Sequence, residues 1–176
     1  IITTDVGQHQ MWAAQVCPLR HPRQWLTSGG LGTMGFGMPA AIGAALANPT
    51  KPVVCISGDG SFLLNIQELA TLAEENLNVK ILVMNNAHLG MVRQQQELFY
   101  DGRKCASKFT RPPDLTAISR GFGVPAYDLD HFEASLDLLK TVLNESGPCV
   151  INVPIAPEEN VFPMVPPGAA NREMIG

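Results

Sequence analysis

A chain of 176 residues suits one domain with a proper core. With 45% hydrophobic and 16% charged residues it is apolar for a free monomer, as helices on both faces of a parallel sheet or a large protein interface would make it. The net charge of −4 comes with no Lys/Arg cluster, which excludes nucleic acid and anionic membrane as expected partners, and no apolar run approaches the ~20 residues of a membrane span.

The first element, Ile1 to Thr4, is rich in β-branched residues and reads as a strand. The chain starts inside it without a Met, so a piece of a longer protein is expected. Gly7 to Cys17 can form a helix stopped by Pro18, Arg20 to Arg23 is a polar loop, and Gln24 to Thr27 is a second short strand. After the glycine-rich stretch Gly29 to Gly37, Pro39 falls near the first turn of a helix that ends at Asn48-Pro49. Its small residues Ala40, Ala41, Gly43, Ala44, Ala45 and Ala47 suit close packing on a sheet.

Pro52 to Ser57 is a third strand, of the buried kind. Asn65 and Glu68 have capping-box spacing, and Ile66, Leu69, Ala70 and Ala73 then stripe an amphipathic helix. Val79 to Asn85 is the fourth strand, Leu89 to Phe99 a helix, and Asp101 to Pro113 an exposed loop. Asp114 can cap a helix reaching about Gly121, and Val124 to Leu129 is a weaker strand. Phe132, Leu136, Leu139 and Leu143 stripe a further helix ended by Gly147-Pro148, and Cys149 to Val153 is the last strand. The expected fold is therefore α/β: a three-layer domain over residues 1–154, with about six parallel strands and helices on both faces. Residues 155–176, rich in proline, read as an irregular tail and a candidate lid. Cys17, Cys55, Cys105 and Cys149 form no C-x-x-C pair and read as buried free thiols of a reducing, cytoplasmic compartment.

Chemistry concentrates at two strand ends. Gly58-Asp59-Gly60-Ser61 closes the third strand, and Asn85-Asn86 closes the fourth. Open parallel sheets bind ligands beyond the carboxyl ends of their strands. Mg²⁺ takes six oxygens, commonly one or two from side chains and others from phosphates. The Asp59 carboxylate and Asn86 amide oxygen meet that demand, and Gly60 lets backbone approach a phosphate. A rival motif, G-x-G-x-x-G at Gly30 to Gly35, lies between a short strand and a helix. Dinucleotide binding expects its acid about 20 residues on; Asp59 lies farther along, and that reading leaves Asn85-Asn86 without a role. Glycines serving tight turns only is the remaining alternative.

Gly-Asp-Gly followed at this distance by Asn-Asn resembles the signature of thiamine-diphosphate enzymes. Asp5-Val6-Gly7-Gln8-His9-Gln10-Met11-Trp12, Gly30 to Ala41, Leu89-Gly90-Met91-Val92-Arg93-Gln94 and Val165-Pro166-Pro167-Gly168-Ala169 narrow it. Together they resemble the acetohydroxyacid (acetolactate) synthase family, carboxyl-terminal domain of the catalytic subunit. A related thiamine-diphosphate decarboxylase or oxidase domain, and a non-catalytic binding or assembly module, are the alternatives.

The resemblance implies decarboxylation of pyruvate and transfer of its two-carbon unit to a second 2-oxo acid, in branched-chain amino-acid biosynthesis. It implies Mg²⁺ held by Asp59, Asn86 and the His88 carbonyl, and diphosphate bound by Gln8, His9, Gly58, Gly60 and Ser61. Met34 would wedge under the cofactor and the Gly32 carbonyl would accept from its amino group; these two are the catalytic candidates. Gly90 and Met91 complete the cofactor set. Met91, Val92 and Gln95 would face substrate, and Gln95, where many relatives carry Trp, implies a weaker preference for 2-oxobutanoate as acceptor. FAD, the activating glutamate in the amino-terminal domain of a neighbouring catalytic subunit, a small regulatory subunit and a homo-oligomer are implied outside this chain, with the piece inactive alone. Arg93 is expected to meet a substrate carboxylate or pair at the surface, the His88 ring to face solvent or a partner, and His21 and His131 to be solvated.

Overall fold

A computed structural model describes residues 1–129 and 135–176. Six strands form one sheet: β1 (Ile2–Thr4), β2 (Trp25–Thr27), β3 (Val53–Gly58), β4 (Val79–Asn85), β5 (Ala126–Asp128) and β6 (Cys149–Pro154). They lie in the order β2-β1-β3-β4-β6-β5, and every neighbouring pair is parallel. The helices are α1 (Gln8–Val16), α2 (Gly37–Ala47), α3 (Asp59–Phe62), α4 (Glu68–Glu74), α5 (Gly90–Phe99), α6 (Leu115–Gly121) and α7 (Ser135–Asn144).

Burial explains why the central strands lack polar alternation. Parallel strands covered on both faces read as continuous apolar runs. Successive residues of β6 show this directly: Val150 joins one core cluster and Ile151 the other. The larger cluster packs Met38, Ala41 and Ile42 of α2 and Leu69 and Leu72 of α4 on Val53, Ile81 and Val83. The smaller one joins Val142 of α7 to Cys149 and Ile151. The predicted three-layer α/β fold with six parallel strands is the observed one.

The connectivity places the site. From β1 the chain moves outward to β2, then crosses back to β3 on the other side of β1. That reversal opens a crevice between the carboxyl ends of β1 and β3, where doubly wound sheets bind ligands. Asp5 to Gly7 leave one side of it, Gly58 and Asp59 the other.

Four local expectations change. Asn65 does not cap α4; it ends a 3₁₀ turn at Leu63–Asn65, and its Nδ2 donates to the Gly35 carbonyl at 2.5 Å. Within α2, Ala41, Ala44 and Ala45 are buried, whereas Gly43 and Ala47 face out, because one stripe of a helix meets the sheet. The 101–113 loop is not wholly exposed: Ser107 is buried and its carbonyl accepts from Leu89 N–H at 2.8 Å. All four cysteines are free, but Cys105 is exposed and Cys17 half-buried. His131 and Phe132 lie outside the described residues, while the rest of the predicted final helix is α7.

The Asp114 cap is present, its Oδ1 accepting from Ala117 N–H at 2.9 Å. Residues past β6 form no regular layer beyond a 3₁₀ turn at Asn171–Glu173 and a mutual pairing of Met164 with Ile175.

Candidate functional site

An open cleft of about 440 Å³ lies over the carboxyl ends of β1, β3 and β4. Its floor is Gly58 to Ser61; Gly7, Gln8 and His9 line one side; Asn86, His88 and Gly90 line the other. Met34, Met91 and Val92 add apolar wall. Of the predicted site residues, Gly32 and Gln95 lie outside this lining. Gly32 is exposed, at φ 65°, two residues before Met34. Gln95 is exposed on α5 beside Val92, in a neighbouring depression with Tyr100 and Arg103.

Register makes the two strand tips meet. Gly58 pairs with Met84, so Asp59 follows β3 beside Asn85, the last residue of β4, and Asn86 comes next. Asp59 is 6% exposed. Its Oδ1 accepts from Gly60 N–H at 2.8 Å, while Oδ2 is buried without a partner. Burial pushes its carboxyl up to about 6, and the N–H groups of Gly60, Ala87 and His88 oppose that shift. A cation would supply what this oxygen lacks. Asn86 aims its Nδ2 at Gln8 Oε1, 3.3 Å, which leaves Oδ1 on the opposite side, accepting from His88 N–H at 3.0 Å. Ala87, at φ 53°, turns the chain between them.

His9 sits in the first turn of α1, not in a loop. Its ring is buried between Gly7 and Gly58: a Cβ on either would come within 2.9 Å of it. Burial lowers its pKa to about 4, although Asp5 favours the charged form. The ring is therefore neutral at pH 7. Its Nε2 is buried without a partner, and a phosphate oxygen suits an N–H there. A Cβ on Gly60 would meet Leu89 Cδ2 at 2.7 Å, so its bareness makes room for Leu89 as well.

Gln8 needs correction. Its Nε2 donates to Gln94 Oε1 at 2.8 Å and to the Glu159 carbonyl at 3.0 Å. Both amide hydrogens are engaged, so as placed the side chain has none left for a phosphate. The His88 ring is half-buried, its Nδ1 2.7 Å from the Asn86 carbonyl, rather than turned to solvent. Arg93 is paired, as one of its two expectations had it, but it is buried rather than at the surface. It is 3% exposed, and it pairs with Glu97 Oε2 at 2.7 Å and donates to the carbonyls of Glu158 and Glu159 and to Asn160 Oδ1.

Residues missed from the sequence hold this arrangement. Asp5, 1% exposed, accepts from Val6 and Gly35 N–H on Oδ1 and from Gly37 N–H on Oδ2, at 2.8–2.9 Å. Thr3 donates to the Gly37 carbonyl at 2.9 Å. Together with Asn65 they fix the base of the glycine-rich loop and so the place of Met34. Ile155 and Leu89 line the cleft as well.

A family model described as the thiamine pyrophosphate enzyme C-terminal TPP binding domain matches residues 5–153. The chain belongs to that family. Thiamine diphosphate is thus the cofactor that domains of this family bind. This TPP-binding domain is 58% identical over its full length to the acetolactate synthase isozyme 1 large subunit of Escherichia coli (strain K12), covering 31% of that protein. It is 50% identical over 99% of its length to the isozyme 2 large subunit of the same organism, covering 32%. With acetolactate synthase 2, chloroplastic, of Zea mays the identity is 48%, over 99% of this chain and 28% of the relative. The chain spans about a third of the length of the curated relatives it matches. Among the described residues no helix is long and apolar enough to cross a membrane, and no group of three or more His, Cys, Asp or Glu could hold a metal ion. A cation at Asp59 would rely on amide, carbonyl and phosphate oxygens.

Proposed function

We propose that this TPP-binding domain is the cofactor-holding part of an acetolactate synthase large subunit, which decarboxylates pyruvate and transfers the two-carbon unit to a second 2-oxo acid. The observation that carries the reading is the buried, unpartnered Asp59 Oδ2 facing the loop of Asn86 and His88, in a chain half or more identical to two such subunits. Asp59, Asn86 Oδ1 and the His88 carbonyl would hold Mg²⁺, whose charge would offset that of the diphosphate. His9 Nε2 and the Ser61 region would meet diphosphate oxygens. Bound there, thiamine diphosphate supplies the electron sink that decarboxylation of a 2-oxo acid requires.

The domain's own residues orient and enclose. Met34 and Met91 both wall the cleft, and Gly32, just outside, would offer its carbonyl to the cofactor's amino group. Val92 and Gln95 lie along one side of α5 toward the acceptor. Leu31, 94% exposed near the mouth, suits cover by the amino-terminal domain of a neighbouring subunit. FAD, the activating glutamate and the regulatory small subunit belong to the rest of a homo-oligomeric protein. The free thiols support a reducing compartment such as the cytoplasm.

The full-length protein, incubated with pyruvate, Mg²⁺ and thiamine diphosphate, should form acetolactate. Release of acetaldehyde or acetyl phosphate instead would assign it to a sister enzyme. Asp59→Asn should abolish Mg²⁺-dependent cofactor binding, read by calorimetry; unchanged binding would remove Asp59 from the site.

A further inference from the structure

Three side-chain amides run from the cleft to the carboxyl-terminal segment. Gln94, on α5, is fully buried. Its Nε2 donates to the Val161 carbonyl at 2.8 Å, and its Oε1 accepts from Val161 N–H at 2.9 Å. The side chain thus pairs with Val161 as a neighbouring strand would. The same Oε1 accepts from Gln8 Nε2 at 2.8 Å, and Gln8 Oε1 accepts from Asn86 Nδ2 at 3.3 Å. The Met164 sulfur lies 3.3 Å from Gln94 Nε2.

Direction travels along this chain. A side-chain amide can be turned end for end, exchanging N and O, and only its partners decide the orientation. The Val161 backbone has one N–H and one C=O and cannot be turned. It therefore fixes which end of Gln94 is oxygen. That oxygen requires an N–H from Gln8, which leaves Gln8 its oxygen for Asn86. Asn86 must then give Nδ2 to Gln8 and present Oδ1 on the other side. Reversing any link would set oxygen against oxygen or N–H against N–H in a buried space, where an unmade hydrogen bond is not replaced by water.

We propose that Gln94 is a positioning residue for the cation site: anchored on the Val161 backbone, it sets the orientation of Asn86 through Gln8. This rests on the reading of Asn86 as a Mg²⁺ ligand. It assigns to a buried glutamine, with no contact to the ion, the task of turning an oxygen rather than an NH₂ toward it. Partners that orient a ligand commonly matter about 10–100-fold in metal affinity.

The test uses the full-length protein and titrates Mg²⁺ at fixed thiamine diphosphate by calorimetry, with hydrogen exchange read on peptides covering residues 85–90 and 158–164. Gln94→Leu should weaken Mg²⁺ by about tenfold or more and raise exchange in both segments. Asn160→Ala is the control: Asn160 ties the tail to Arg93 and Glu97 but touches neither Gln8, nor Asn86, nor the Glu159 carbonyl that Gln8 shares with Arg93. It should raise exchange in the 158–164 segment and leave Mg²⁺ affinity unchanged. Equal loss of Mg²⁺ affinity in the two variants would overturn the proposal, since loosening the tail would then suffice. Unchanged Mg²⁺ affinity in Gln94→Leu would overturn it too. Should Gln94→Leu fail to fold, Gln8→Met cuts the next link while leaving the Gln94–Val161 pair. It must then weaken Mg²⁺ with residues near Val161 still protected, and the opposite result counts against the relay. A wild-type protein without saturable Mg²⁺ binding would instead refute the assignment of Asn86 as ligand, on which the relay depends.

Discussion

Two loops border the cleft, and they are held in opposite ways. The glycine-rich loop is gripped at its base: Asp5 takes the N–H groups of Gly35 and Gly37, and Asn65 takes the Gly35 carbonyl. Its leading half, Gly29 to Thr33, is exposed. The loop from Asn85 to Gly90 is tied almost residue by residue, with Ala87 N–H on Asn85 Oδ1, His88 N–H on Asn86 Oδ1 and Leu89 N–H on the Ser107 carbonyl. A loop that delivers one apolar side chain can leave its tip free. A loop that is to set oxygens around an ion, as proposed for this one, cannot, because metal geometry tolerates little error.

Breaking the grip at the base should have the largest effect. Asp5→Ala strips the acceptor from three backbone N–H groups, in a place with no room for compensation. Buried bonds to a carboxylate are each worth about 1.5–3 kcal/mol, so a loss on the order of 4 kcal/mol is expected in denaturant unfolding. Asp5→Asn keeps one oxygen but turns an NH₂ toward a glycine N–H, and should cost nearly as much. Stability unchanged by either would mean that Asn65 and Thr3 suffice to hold the loop.

Two glycine substitutions separate the loops further. At Gly37 a new Cβ would meet Asp5 N at 2.8 Å and Thr4 C at 3.1 Å, both backbone atoms that cannot step aside. At Gly90 it would run into Gln8 Oε1 and Asn86 Nδ2, the ends of side chains that can rotate. Gly37→Ala should therefore cost about 3 kcal/mol of stability. Gly90→Ala should cost about 1 kcal/mol yet weaken Mg²⁺ binding, because the amides that yield are those that orient Asn86. If Gly90→Ala proved the more destabilising, the second loop would be the rigid foundation and the comparison would reverse.

How much of this was legible follows from the range of the interactions. The six strands, their parallel direction and the two strand tips could be read because each depends on a local run of residues and its terminating turn, whereas the strand order comes only from the structure. Asp59 and Asn86 could be paired because each ends such a run. Asp5, Gln94 and Arg93 could not be placed. Asp5 reaches partners 30 and 32 residues away, Gln8 finds Gln94 86 residues on, and Arg93 holds a tail 65–67 residues on. In the sequence Arg93 looks like a surface or substrate charge, because nothing local reveals that carbonyls will surround it. The Asn65 cap failed for a related reason: Gly35, a distant carbonyl, competed successfully for its amide.

The smallest expected effect at neutral pH comes from the thiols, and it reports on both loops at once. Cys55 lies on β3 beneath the Asp5 grip, and burial pushes its thiol up to about 12, with the Asp5 charge adding and Thr3 opposing. Cys105 is exposed on the loop that pairs with residues 87 and 89, its N–H on Gln96 Oε1 at 3.2 Å. The buried Cys55 proton is kept by the folded protein and released by the unfolded chain above the ordinary value of 9.0. Its contribution to stability is thus full below pH 9 and is lost as pH rises toward about 12. In native protein at pH 8, iodoacetamide followed by peptide mass spectrometry should label Cys105 and spare Cys55. Asp5→Asn should bring Cys55 into reach by loosening the loop base, while Gly90→Ala should leave it protected. Labelling of Cys55 in both variants would mean that the two loops open together, as one unit rather than as separately tethered segments.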